Sequence, residues 1–302
     1  MKAVRRVLCL ADGKKPAALE FLEKLVENLK TRGLEVECLR SVRALEKGVP
    51  DVRPDLVLVL GGDGAMLGAV RAFSLDPVPI LGINFGYLGF LAGTPSSCAF
   101  DVLDGVLAGE TEPELRMRLI AEFDGGQKAV ALNDVVLQRG SHQGLLTSSL
   151  SVGGEWVTNL RGDGVVVATP SGSTAYSLAA GGPVVEPSMR CFVVTPLAAQ
   201  GLANRPIVLG FESQLTLEVV ESAGISTLVI DGQGYFPLQP GARVKISRHP
   251  VPYPLYSMPE LDPYRRLRER LGWSSVMPGS AIGGEPSSAP PADSGGAREG
   301  CY

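Results

Sequence analysis

Long apolar runs, histidines and surplus positive charge are all scarce in this chain of 302 residues, and each scarcity narrows what it can be. No run approaches the ~18–20 apolar residues that span a bilayer, so no transmembrane helix is expected. The opening stretch, MKAVRRVLCLAD, has too short an apolar core for a leader and meets Asp12 at once; it reads as a first buried strand. There are two histidines, His142 and His249, and five cysteines, Cys9, Cys38, Cys98, Cys191 and Cys301, with no paired spacing. That pattern argues against a zinc site and for a reducing, cytoplasmic setting, with the first four cysteines serving as small buried apolar residues. Lys and Arg number 28 against 32 Asp and Glu, and a net charge of −4 leaves no footprint for nucleic acid or an anionic membrane.

What is present is a globular composition, 45% hydrophobic and 20% charged, enough for one large or two ordinary domains. The first part, residues 1–111, alternates strand and helix patterns: VRRVLCLAD, LEVECL, DLVLVL and PVPILGIN read as strands. Leu19, Leu22, Leu25, Val26 and Leu29 recur at helical spacing until Gly33, and a second helix is expected from about Ala65 to Phe73. Strand–helix alternation predicts a parallel, Rossmann-like α/β domain. Residues 112–261 change texture, with short strand-like runs (LRMRLIAEF, KAVALNDVVLQR, LLTSSLSV, VVVAT, CFVVTP, QLTLEVV, STLVID, RVKIS) between turn residues, which predicts a β-rich domain of sandwich type. One helix, STAYSLAAGG, is expected there, capped by Ser173 or Thr174 and ended by Gly181. Residues 262–273 carry Tyr264, Leu267 and Leu271 on one stripe of a closing helix. From 274 to 302 the Gly-, Pro- and Ser-rich tail predicts disorder.

Chemistry concentrates in two places. In LVLVLGGDGAML a buried strand runs into Gly61-Gly62-Asp63-Gly64 just before a helix, where free N–H groups attract anions. An acid beside phosphate is useful if it helps hold Mg²⁺ or accepts a proton from an attacking hydroxyl; as a bland alternative it caps the helix. No phosphate-loop or G-x-G-x-x-G pattern occurs. The second place is RGDGVVVATPSGSTAYSLAAGGPVVEP, Arg161 to Pro187, where hydroxyls open a helix carrying Tyr176, a stacking face for a base. Upstream, Asn133-Asp134 sits on a strand pattern, where an amide and an acid could grip ribose hydroxyls.

GGDGAML, LGINFGYLGFL, LNDVVL and DGVVVATPSGSTAYSLAAGGPVVEPS stand in the order and spacing of NAD kinases, and the chain resembles a bacterial-type NAD kinase from about Val4 to Trp273. The resemblance implies an NAD kinase/diacylglycerol kinase-like fold with the site between its parts and the last helix returning to the first. It implies phosphorylation of the 2′-hydroxyl of the adenosine ribose of NAD, with ATP as donor and a divalent metal, Mg²⁺, whose ligands it does not identify. It makes Asp63 the general base with Gly64 beside the dinucleotide, and gives Asn133 and Asp134 to NAD. Arg161 and Asp163 would line the site; Thr174, Ala175, Tyr176, Ser177, Leu178 and Ala179 would receive the dinucleotide, and Gln233 would edge the pocket. A cytoplasmic homodimer or homotetramer is implied, with NAD and ATP as its small-molecule partners.

The chain departs from the family pattern at Phe85 and Tyr87, at Gln200 where histidine is common, and at Ser171 in place of threonine. Lipid and sugar kinases also use Gly-Gly-Asp-Gly but lack the ATPSGSTAYSLAAGG block. A non-catalytic NAD(P)-binding sensor is the remaining alternative.

Overall fold

The structure is a computed structural model that describes residues 3–11, 13, 15–86, 89–141, 144–201, 204–258 and 265–272. Along the chain the first part contains β1 (Arg6–Ala11), α1 (Pro16–Thr31), β2 (Glu35–Leu39), β3 (Leu56–Leu60), α2 (Asp63–Ala72), β4 (Ile80–Asn84), β5 (Thr94–Pro95), α3 (Ala99–Ala108) and β6 (Glu114–Arg116). The β-rich part follows with β7 (Leu119–Phe123), β8 (Gln127–Ala131), β9 (Asp134–Gln138), β10 (Leu146–Val152), β11 (Glu155–Gly162), β12 (Gly164–Ala168), α4 (Tyr176–Ala179), β13 (Cys191–Leu197), β14 (Ile207–Gly210), β15 (Leu215–Ser222), β16 (Ser226–Ile230), β17 (Gly234–Leu238) and β18 (Arg243–Arg248). The chain closes with β19 (Tyr253–Tyr256) and α5 (Arg265–Leu271).

The four expected strands pair in parallel in the order β2-β1-β3-β4. Strands β3 and β4 are buried along their whole length because helices cover both faces. Leu22, Leu25 and Leu29 of α1 and Val102, Leu103 and Val106 of α3 pack on one face, and Met66, Ala69 and Val70 of α2 on the other. Pro16 occupies the first turn of α1, and Gly33 at φ 76° turns the chain out of it. Two later strands extend the sheet: β19 lies parallel to β4, and β6 pairs antiparallel to β19.

Two antiparallel sheets make the β-rich part, β11-β10-β15-β18-β7-β8 and β14-β13-β12-β9-β16-β17. Their inner faces meet through alternating residues such as Leu119, Ala121, Val135, Leu137, Val165, Val167, Phe192 and Val194. On the outer face of the second sheet Val136, Val166, Ala168 and Val193 pack against Val185 and Ala180, so the segment after β12 is pinned there. The run KAVALNDVVLQR is two strands, not one: β8 belongs to the first sheet and β9 to the second, and the chain crosses between them at Leu132-Asn133. STAYSLAAGG is likewise not a capped helix. A 3₁₀ turn over Ser171–Thr174 precedes the single turn of α4, and Ser173 Oγ donates to Pro170 O at 2.7 Å and accepts from Val185 N at 3.0 Å. Gly181 at φ 84° ends the segment as expected.

Arg118 links the two parts. It is fully buried, and its guanidinium donates to Ser74 O at 2.6 Å beyond α2 and to Val251 O at 2.9 and 2.7 Å. Arg270 of α5 lies 5.6 Å from the Phe90 ring of the first part. Tyr264, Trp273 and the tail lie outside the described residues.

Candidate active site

The strand–turn–helix of the first part brings Asp63 to the C-terminal end of β3, where it opens α2. Gly62 holds the N-cap position, and Asp63 caps nothing. Its carboxylate instead clips a neighbouring loop: Oδ2 accepts from Phe90 N at 2.9 Å, and Oδ1 from Leu91 N and Ala92 N at 3.1 and 3.0 Å. A Cβ on Gly89 would lie 2.0 Å from Asp63 Oδ1, so glycine is required for this approach. A Cβ on Gly62 or Gly64 would meet nothing within 4 Å, and neither residue has a positive φ. Packing and backbone conformation therefore do not call for these two glycines; they keep the space above the turn open.

A second aspartate, absent from the sequence-based set, repeats the pattern. Asp231 Oδ2 accepts from Leu132 N at 2.8 Å, and Oδ1 from Asn133 N at 2.7 Å and Asp134 N at 3.0 Å. Its reason is the crossover between sheets: amides at 132–134 leave one ladder as the chain enters the next and need another acceptor. The turn after β12 binds the same segment, with Thr169 Oγ1 donating to Leu132 O at 2.7 Å and Thr169 N to Asn133 O at 2.8 Å. A Cβ on Gly172 would lie 2.0 Å from Asn133 O, which explains the glycine inside PSGST.

Two cavities flank α2. One, of about 340 Å³, is lined by Leu67, Asn133, Asp134, Val136, Gln138, Ala175, Tyr176, Val229, Asp231, Gly232 and Tyr235. The other, of about 600 Å³, is lined by Gly13, Ser41, Val42, Arg43, Leu45, Gly64, Ala65, Gly68, Arg71, Ala72 and Gln233. They share a wall where α2 meets the turn 231–233, and there Gln233 Nε2 donates to Gly64 O at 3.4 Å.

Their electrostatics differ. Burial pushes the Asp134 carboxyl up to about 7, and the charge of Asp231 adds to this while a hydrogen bond from the Tyr176 amide opposes it. Burial also raises Asp231, against the three amides it accepts and the positive charge of Arg71. Asn133 Oδ1 is buried with no hydrogen-bond partner among the described residues, an acceptor placed for a ligand's donor. The larger cavity carries Arg43 and Arg71.

The fold thus brings Asn133, Asp134, Ala175 and Tyr176 into one cavity and Gly64 and Gln233 into the other. Asp63 lines neither, its carboxylate turned to the 90–92 loop. Thr174 Oγ1 donates to Ser171 O, Ser177 is fully buried with its hydroxyl on Thr195, Leu178 is half-buried and Ala179 is exposed. Arg161 lies near the end of β11 and Asp163 just before β12, at the end of β12 opposite the Asp134 register partner Ala168, and Asp163 pairs with Arg139 at 2.6 Å. Of the departures, Phe85 packs its ring 5.4 Å from Phe21, Ser171 accepts from the buried Arg116 at 3.3 Å, and Tyr87 lies outside the described residues. Asp231 and Tyr235 escaped sequence reading because Asp231-Gly232 looks like ordinary hairpin chemistry between two strands, which it also is.

Parallel α/β sheet, β-sandwich and an acid-bearing glycine turn at the cleft between them define a two-part nucleotide-handling protein. The family model for the ATP-NAD kinase N-terminal domain matches residues 10–111, and that for the ATP-NAD kinase C-terminal domain matches residues 132–258. The chain belongs to the ATP-NAD kinase family. It is 41% identical over 270 residues to the NAD kinase of Symbiobacterium thermophilum, covering 85% of this chain and 95% of that one. With the NAD kinase of Nitrosomonas europaea it is 35% identical over 286 residues, covering 90% and 96%. Among solved structures it is similar to yeast NADH kinase complexed with NADH, with a TM-score of 0.84, 25% identity and coverage of 93% and 91%. It is also similar to an NAD kinase from Archaeoglobus fulgidus in complex with ATP, with a TM-score of 0.71, 26% identity and coverage of 88% and 97%.

Proposed function

We infer that this NAD kinase moves the γ-phosphoryl group of ATP to the 2′-hydroxyl of the adenosine ribose of NAD, with the two cavities taking the two substrates. The observation that carries this assignment is their shared wall at Gly64 and Gln233, with opposite charge on its two sides. Arginines 43 and 71 suit the donor's phosphates. The unpaired Asn133 Oδ1 and the Asp134 carboxyl suit ribose hydroxyls, and Tyr176, 46% exposed, offers its ring to the adenine.

Asp63 is the proton acceptor in this reading. Its three amide partners hold the carboxylate fixed, and Phe90 N takes only one lone pair of Oδ2, leaving capacity for the alcohol. As the O–P bond forms, the 2′-hydroxyl proton passes to Asp63, while donors around the triphosphate neutralise charge on the transferred group. Among the described residues no cluster of three or more acidic, cysteine or histidine side chains could hold a metal ion. A divalent cation such as Mg²⁺ would enter with the ATP phosphates and would offset their charge. Arg161 and Asp163 line neither cavity; contact with the dinucleotide from a neighbouring copy is the reading that keeps their role, and a cytoplasmic homo-oligomer accords with this substrate pair.

The test is NADP or NADPH formation by the purified chain with NAD against NADH, and with Mg-ATP against polyphosphate. Product from NAD and Mg-ATP is expected. No product from any pairing contradicts the assignment.

A further inference from the structure

Away from the cleft, β1 and β2 place two cysteines against each other. Cys9 and Cys38 are distant in sequence but are register partners on this parallel pair, between Leu8↔Glu37 and Leu10↔Leu39. Direct partners on neighbouring strands share a face, and a strand spacing of ~4.8 Å falls within the ~4.4–6.8 Å Cα separation that a disulfide bridges. The two differ in access. Cys9 is fully buried beside Leu22 and Leu25, whereas Cys38, on the edge strand, is exposed and opens on a groove lined by Leu22, Val26, Lys30 and Arg40. The expectation that the first four cysteines are buried thus holds for Cys9, Cys98 and Cys191 and is corrected for Cys38, which lies on the edge strand.

The sulfurs are chemically unequal as well. The Cys9 thiol donates a hydrogen bond to the Cys38 sulfur, which draws Cys38 down to about 7; Lys30 and Arg40 act the same way, against partial burial and Glu37. The same hydrogen bond, with burial, pushes Cys9 up. An accessible thiolate beside a protonated, sequestered thiol is the arrangement in which one sulfur is oxidised and the other resolves it.

We propose that Cys38 and Cys9 form an oxidisable dithiol, Cys38 meeting a hydroperoxide in the groove and Cys9 closing the disulfide. The Cys38 thiolate attacks the terminal oxygen of the hydroperoxide; the O–O bond breaks, the alkoxide or hydroxide leaves and takes up a proton, and Cys38 becomes a sulfenic acid. The Cys9 sulfur then attacks the Cys38 sulfur, the S–O bond breaks, and the departing hydroxide takes the Cys9 proton to leave as water. Two thiols lose two electrons and one hydroperoxide gains them. Past the pair the chain reaches the cavity that carries Arg43 and Arg71: Gly13, after β1, and Ser41 and Arg43, after β2, are in its lining. A Cβ on Gly13 would lie 2.7 Å from Arg40 O, so the two chain segments stay closely packed beyond the ends of both strands.

The experiment treats the full chain with hydrogen peroxide, removes the excess and reads intact mass and proteolytic peptides. Expected are the loss of two hydrogens, a peptide joining Cys9 to Cys38, and reversal by dithiothreitol. In Cys9→Ser the reaction stops at a dimedone-trappable sulfenic acid on Cys38, and in Cys38→Ser residue Cys9 stays unmodified. An unchanged mass under peroxide that oxidises free thiols overturns the proposal, as does a cross-link through Cys98, Cys191 or Cys301. Should either variant fail to fold, iodoacetamide labelling of the unaltered protein decides. Cys38 alkylation half-maximal near neutral pH with Cys9 unlabelled supports the dithiol; a midpoint at the ordinary thiol pH of ~8.5 overturns it.

Discussion

Asp134 and Asp231 hold each other through two hydrogen bonds, one from backbone to side chain and one between backbones. The Asp134 amide donates to Asp231 Oδ1 at 3.0 Å, and the Asp231 amide donates to the Asp134 carbonyl at 3.0 Å. This tie joins the sheet crossover to the 231–233 turn, so the cavity at Asn133 and Asp134 and the wall it shares with the cavity at Arg43 and Arg71 are built on one hydrogen-bonded segment. It also puts two buried acids side by side, and at neutral pH one proton between them is favourable.

Asp134 rises from 3.8 to about 7 on folding, so the folded state holds its proton more tightly than the unfolded chain does. Its contribution is present below about pH 4 and is lost as pH rises through about 7, a span on the order of 4 kcal/mol for a group this buried. Urea unfolding of the wild type and Asp134→Asn between pH 4 and 8 should show the wild type losing stability relative to the variant as pH rises. Parallel curves would contradict the buried acid pair.

Removing Asp231 should cost more than removing a surface acid. Asp231→Ala strands the amides of Leu132, Asn133 and Asp134 and is expected to destabilise by at least about 3 kcal/mol. Asp231→Asn keeps one acceptor oxygen for two of them and should lose less than half as much. A chemical-denaturation midpoint for Asp231→Ala equal to that of the wild type would show that the crossover does not depend on this side chain.

Two glycine substitutions separate fold from ligand space. Gly89→Ala drives a methyl into Asp63 and should lower kcat by about 10²-fold through displacement of the carboxylate, with reduced thermal stability. Gly64→Ala meets open space, so its stability should stay within about 0.5 kcal/mol of the wild type. Its kcat/KM should nevertheless fall, because the methyl enters the space the substrates need. If Gly64→Ala kept full kcat/KM, the turn would not border a substrate.

The fold was readable where periodicity and punctuation agree: the four parallel strands, α1 with its Leu22-Leu25-Leu29 face, and the alternating sandwich strands. Two kinds of feature were not. KAVALNDVVLQR has no residue that marks a change of sheet, because the break at Leu132-Asn133 is made by a distant acid, Asp231, satisfying its amides. The helix expected in STAYSLAAGG failed because Ser173 spends its hydroxyl on Pro170 and Val185, not on a cap. Of the residues singled out by the family resemblance, Asn133, Asp134 and Tyr176 line one cavity and Gly64 and Gln233 the other. The Cys9–Cys38 pairing was invisible, since strand register and not spacing brings those sulfurs together.

That Asp63 takes the 2′-hydroxyl proton is tested most directly by the turnover of Asp63→Asn, with NAD binding measured alongside. The asparagine can keep the Leu91 and Ala92 amides on Oδ1 while losing the basic oxygen. The predicted result is a fall in kcat of about two to four decades with NAD still bound. Near-normal turnover in this variant would contradict the assignment.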